Sequence, residues 1–106
     1  MNETVFHLKW QRYGTINENS DSFVTNSTFC WKNFVIKIDI HCFWGKGPGG
    51  YRAHYHFSVN GLDYHYNMID SYVKAKNGEL PIVEGDGKRL VFIALPTYIT
   101  VEEQEL

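Results

Sequence analysis

Asn60-Gly61 stands between two runs in which apolar and polar residues alternate, Tyr51 to Val59 and Leu62 to Val73. An Asn-Gly pair suits the two positive-φ positions of a type I′ turn, whose twist matches that of the strands it joins. The pair therefore predicts a hairpin with Val59 opposite Leu62, and the other pairings follow by counting. Phe57 faces Tyr64, Tyr55 faces Tyr66 and Ala53 faces Met68 on one side. On the other, Ser58 faces Asp63, His56 faces His65 and His54 faces Asn67. A slip of one residue would turn every side chain to the wrong face. If the glycine-rich segment from Gly45 to Gly50 closes a second hairpin with Trp44 opposite Tyr51, then Ile40 meets Tyr55, Ile38 meets Phe57 and Ile36 meets Val59. The apolar side then stays apolar across three strands.

The same period-two pattern recurs along the chain, rich in Tyr, Phe, Val, Ile and Thr, and helical spacing rarely persists beyond one turn. Strands are expected over Thr4 to Tyr13, Ser22 to Cys30, Phe34 to Trp44, Tyr51 to Val59, Leu62 to Val73, Ile82 to Glu84 and Arg89 to Val101. Pro96 marks a bend or edge position in the last run. Ser71 to Lys76 also fits a helical turn, so residues 71–80 are the weakest assignment. The expected core face holds Phe34, Ile36, Ile38, Ile40, Cys42, Tyr55, Phe57, Val59, Leu62, Tyr64, Tyr66 and Met68. A second sheet, from Val5 to Trp10, Phe23 to Phe29 and Leu90 to Ile99, is expected to cover it with Phe6, Trp10, Phe23, Phe29, Phe92 and Ile93. The fold class is an all-β antiparallel β-sandwich, with a small closed β-barrel as the alternative, in one domain spanning residues 1–106. A chain of 106 residues suits a single core.

Charge narrows the functional classes. The formal net charge is -2, and Lys and Arg form no basic stripe, which disfavours direct nucleic-acid binding. Residues 1–76 carry eight basic and six acidic side chains, whereas 77–106 carry two and six. The acidic last third is expected to be a solvated hairpin and a frayed tail, Glu102-Glu103-Gln104-Glu105. No apolar run approaches the roughly 20 residues that span a bilayer, and Met1 to Val5 lacks the order of a secretory signal. A soluble cytoplasmic protein is expected. Cys30 and Cys42 have no zinc-ligand or C-x-x-C spacing and are read as reduced core thiols. Asn2-Glu3-Thr4 and Asn26-Ser27-Thr28 match the glycosylation acceptor pattern, which is discounted without a signal peptide.

Four of the five histidines fall on the polar face of the central hairpins, with His7 alone on the first strand. Cross-strand neighbours lie about 4.5 to 5.5 Å apart, so Asp39, His56 and His65 form one row and His41, His54 and Asn67 the next. Lys37, Arg52, Ser58 and Asp63 share the face. Imidazoles beside a carboxylate suit zinc or non-haem iron, and a histidine pair can serve as general acid and base near neutral pH. Against this, the uncovered face of an antiparallel sheet is polar by default. Gly50 followed by His54-x-His56 resembles the first motif of the cupin metalloproteins over a few residues. The acidic ligand of that motif would fall near Asn60, where no glutamate follows, so no family is assigned.

The segment Gly45-Lys46-Gly47-Pro48-Gly49-Gly50 leads into a strand rather than a helix, which argues against a phosphate loop. It reads as a hairpin connection, flanked by Trp44, Lys46, Tyr51 and Arg52, residue types common at interfaces. Cys42 points to the core face while His41 and His54 point away, so no thiol nucleophile is built. Two functions remain. The first is a non-enzymatic protein-binding module, of the kind in which an immunity protein or antitoxin neutralises a basic nuclease toxin. Glu79, Glu84 and Asp86, with Trp44, Lys46, Tyr51 and Arg52, are its candidate partner contacts, and it needs no cofactor. The second is a small metal-dependent or histidine-based enzyme using zinc or iron at Asp39, His41, His54, His56 and His65.

Overall fold

The computed structural model describes residues 4–6, 8–17, 20–45, 51–95 and 99–106. Its elements are β1 (Thr4–Phe6), β2 (Gln11–Asn17), β3 (Ser20–Trp31), β4 (Phe34–Gly45), β5 (Tyr51–Val59), β6 (Leu62–Asn67), α1 (Met68–Lys76), β7 (Ile82–Gly85), β8 (Lys88–Ala94) and β9 (Ile99–Glu105). They form two antiparallel sheets, ordered β2-β3-β4-β5-β6 and β1-β9-β8-β7. The architecture is sandwich-like and all-β apart from one short helix, and neither sheet closes into a barrel. No helix among the described residues is long and apolar enough to cross a membrane.

The central register is the one the turn chemistry demands. Asn60 and Gly61 have φ of 49° and 84°, the two positive values of a type I′ turn. Val59 pairs with Leu62, Phe57 with Tyr64, Tyr55 with Tyr66 and His56 with His65. The next hairpin pairs Trp44 with Tyr51, Ile40 with Tyr55, Ile38 with Phe57 and Ile36 with Val59. Along β4 the alternation is complete: Ile36, Ile38, Ile40 and Cys42 are buried, while Val35 and Lys37 are exposed and Asp39 and His41 partly so.

The cover differs from expectation. β3 does not belong to the second sheet; it pairs with β4 along its whole length, from Ser20 opposite Gly45 to Trp31 opposite Phe34. The tight Lys32-Asn33 turn, with Lys32 at φ 55°, makes the two strands one hairpin. Phe23 and Phe29 therefore support the core from the large sheet. The opposing layer comes from β7, β8 and β9, which bury Val83, Leu90, Phe92, Ala94, Ile99 and Val101. Ile93 is out of phase with Phe92 and faces outward, half-buried. Phe57 and Phe92 meet between the sheets with ring centroids 4.8 Å apart and planes tilted by 48°.

Several boundaries also move. The expected first strand is two strands in different sheets, and the last is β8 plus β9, with Pro96 outside the described residues. β9 runs on through Glu102-Glu103-Gln104-Glu105, so this segment is no frayed tail; it is an inner strand between β1 and β8. The indole N–H of Trp31 donates to Glu103 Oε2 at 2.6 Å, joining the large sheet to the small one. Cys42 is buried, but Cys30 is exposed, not a core thiol, because the core phase of β3 runs through Phe29 and Trp31.

β6 ends six residues earlier than expected. Asn67 caps a helix there: its side chain accepts from the backbone N–H of Asp70 at 2.8 Å, and Ser71 Oγ donates to its carbonyl. Met68 thus starts α1 instead of pairing with Ala53. Asp70 in the first turn and Lys74 and Lys76 in the last complement the helix dipole. Ser71 is fully buried and Ala75 packs on the core, closing the gap between β6 and the small sheet. Leu62, expected in the core, is 61% exposed at the hairpin tip, next to the turn.

Candidate functional site on the outer face of the large sheet

The outward phase of β4, β5 and β6 assembles one polar surface. Asp39, His56 and His65 lie across three strands in one row, and His41, His54 and Asn67 in the next. Together with Asn26, Tyr66 and Asp70 they border an open hollow of about 570 Å³. A smaller one of about 240 Å³ lies between Arg52, His54, Asn67 and Ile69.

His56 is the centre of this surface. As a carboxylate can only accept, the 3.0 Å contact from His56 Nε2 to Asp63 Oδ1 puts the ring proton on Nε2. Nδ1 lies 3.7 Å from Asp39 Oδ2. The His56 ring thus sits between two carboxylates. The hydrogen bond from His56 holds the Asp63 carboxyl below its usual range, against a smaller opposing effect of desolvation. His65 stacks on His56 with centroids 4.3 Å apart and planes within 4°. His41 shares a short hydrogen bond with buried Ser22 Oγ and lies against the Phe43 ring at 4.1 Å.

This geometry bears on the metal reading. A zinc ion needs imidazole nitrogens at about 2.0 to 2.1 Å with their lone pairs converging. The in-plane lone pairs of two parallel stacked rings run side by side and do not meet. Among the described residues, no three His, Cys, Asp or Glu side chains are arranged to hold a metal ion. The row as it stands is hydrogen-bonded and stacked.

The candidate partner contacts are dispersed. Glu79 follows α1, Glu84 lies on β7 and Asp86 in the β7–β8 turn, and all three are exposed. Arg52 is exposed at the far end of the other sheet, opposite Phe43. Trp44 and Tyr51 pair through their backbones, but their side chains, Lys46 with the rest of the glycine-rich loop, and His7 lie outside the described residues.

Sequence reasoning missed Trp31, which falls between two expected strands, and the role of Glu103. Trp31 is 4% exposed. Glu103 accepts from its indole and pairs with Lys88 at 3.3 Å. The available signal was phase, since Ile99, Val101 and Glu103 share one face of β9. Comparison with known protein families, with curated proteins and with solved structures finds no match for this chain.

Proposed function

We propose that this protein is a non-enzymatic binding module that occludes a basic protein partner, in the manner of an immunity protein or antitoxin held against a nuclease toxin. The observation that carries this reading is the contrast between two sets of acidic residues. Glu103 and Glu105 are ion-paired with Lys88. Glu79, Glu84 and Asp86 are exposed, and among the described residues none of them is in an ion pair. Their field is therefore available to a basic surface, and opposite charge raises the association rate and sets orientation.

The test is cross-linking in cells of the protein's own source, followed by measurement of the purified pair. A stoichiometric complex with a basic protein is expected, with cross-links near residues 79–86. Glu79→Lys/Glu84→Lys/Asp86→Lys should slow association at least roughly tenfold at low salt, with the difference shrinking as salt rises. No complex with a basic protein, or an unchanged rate in the reversed variant, overturns the reading. About one zinc or iron per chain in the untagged protein, lost in His56→Ala/His65→Ala, would replace it with the metalloenzyme reading.

A further inference from the structure

An exposed strand edge offers unpaired N–H and C=O groups to another strand, and proteins usually blunt such edges by shortening or bulging them. Among the described residues, two of the edges other than β6 are treated in that way. β7 has four residues. β2 shifts register twice against β3, at Arg12/Gly14 and at Thr15/Asn17. β6 has six residues in unbroken register with β5, without Pro or Lys.

The type I′ turn dictates which groups of β6 are free. Val59 and Leu62 flank a two-residue turn and form a hydrogen-bonded pair, so Leu62, Tyr64 and Tyr66 direct their backbone groups toward β5. Asp63 and His65 direct theirs outward. The Asn67 carbonyl, which is next in phase, accepts from Ser71 Oγ. The free edge is therefore a short segment centred on Tyr64 and ending where α1 begins.

We propose that β6 pairs antiparallel with β6 of a second copy of this chain, about a two-fold axis through Tyr64, joining two large sheets into one. This register sets Asp63 of each copy against His65 of the other as hydrogen-bonded pairs, which satisfies all four outward-facing backbone groups of each segment. On the polar face it places a carboxylate, which accepts, opposite an imidazole N–H, which can donate, and the edge is thus self-complementary in hydrogen bonding. Shifting the axis to Asp63 would oppose two carboxylates directly, an unfavourable pairing. On the other face Leu62 meets Tyr66 of the second copy. The exposed apolar side chains point to the same place. Of the seven large ones exposed among the described residues, Leu62 lies on β6 and Ile69, Tyr72 and Val73 on the helix that follows it directly. The acidic contacts of the proposed function lie after α1, on β7 and in the β7–β8 turn, and are independent of this pairing.

Sedimentation equilibrium of the purified full chain tests the proposal, with far-UV circular dichroism as the check on folding. A concentration-dependent dimer is expected. His65→Asp, which opposes acidic residues at both pairs, should weaken it at least roughly tenfold, and Asp63→Lys/His65→Asp should restore it. In a Cys30→Ser background, Tyr64→Cys should form an intermolecular disulfide on mild oxidation, because a non-hydrogen-bonded antiparallel pair brings Cα atoms to about 4.5 Å. Asp63→Cys should not, because its two copies are offset along the strands. A monomer at high micromolar concentration overturns the proposal, as does a dimer indifferent to His65→Asp or one cross-linked equally well through position 63.

Discussion

Trp31 and Glu103 are 72 positions apart, and their hydrogen bond shows how one buried donor organises its surroundings. An indole N–H at 4% exposure needs an acceptor, and the 16% exposed Glu103 side chain supplies one while Lys88 balances its charge. The hydrogen bond from Trp31, reinforced by Lys88 and partly opposed by desolvation, holds the Glu103 carboxyl below its usual range. A carboxylate with a depressed folded-state pKa stabilises the fold above its unfolded-state value, and that contribution is lost as pH falls through the folded value. Asp63, lowered by its bond from His56, acts in the same direction. Chemical unfolding between about pH 7 and pH 3 should therefore show falling stability through the carboxylate range. Glu103→Gln should be less stable than the parent near neutrality and show a shallower acid limb. An unchanged acid limb would mean that this carboxylate does not contribute to pH dependence.

Turns and caps were the most legible elements because their chemistry is local. Gly61 at φ 84° has open space where a Cβ would stand, so substitution there strains the backbone alone. Gly61→Ala should cost about 1 to 2 kcal/mol, measured by urea denaturation. Asn67→Ala removes the side-chain acceptor for Asp70 and should cost about 1 kcal/mol, with loss of helical signal. A cost near zero would show that α1 is held by packing through Ser71 and Ala75. The α1 boundary was missed for a related reason. Tyr64, Tyr66 and Met68 continue a period-two pattern, while the competing signal is a single Asn67 side chain able to cap a helix. Alternation cannot weigh one cap against one more strand pair.

The molecule extends 48 × 27 × 25 Å, with the two twelve-residue strands of the β3–β4 hairpin far longer than the seven-residue β8 and β9 that help to cover them. The two layers are joined through side chains such as Phe57 and Phe92, so Phe92→Ala should open a cavity between them and cost about 3 to 5 kcal/mol. His56→Ala, on the uncovered face, should cost far less. Thermal unfolding of the two variants checks the contrast; equal losses would place the stabilising contacts elsewhere. The sequence alone determined the β4–β5–β6 register, the core phase of those strands and the rows Asp39–His56–His65 and His41–His54–Asn67. The β5–β6 part follows from a two-residue period counted outward from a turn whose geometry Asn-Gly dictates, and the β4–β5 part from the same period once the Gly45–Gly50 segment is taken to close a hairpin with Trp44 opposite Tyr51. Tertiary structure decided what local pattern does not encode: that β3 joins the large sheet, that the acidic C-terminal segment is an inner strand, that Cys30 faces solvent and Trp31 the core, and that β6 is left as the uninterrupted edge. These outcomes depend on which distant strand satisfies a backbone edge or a buried polar atom, a choice made only when the two layers close over one another.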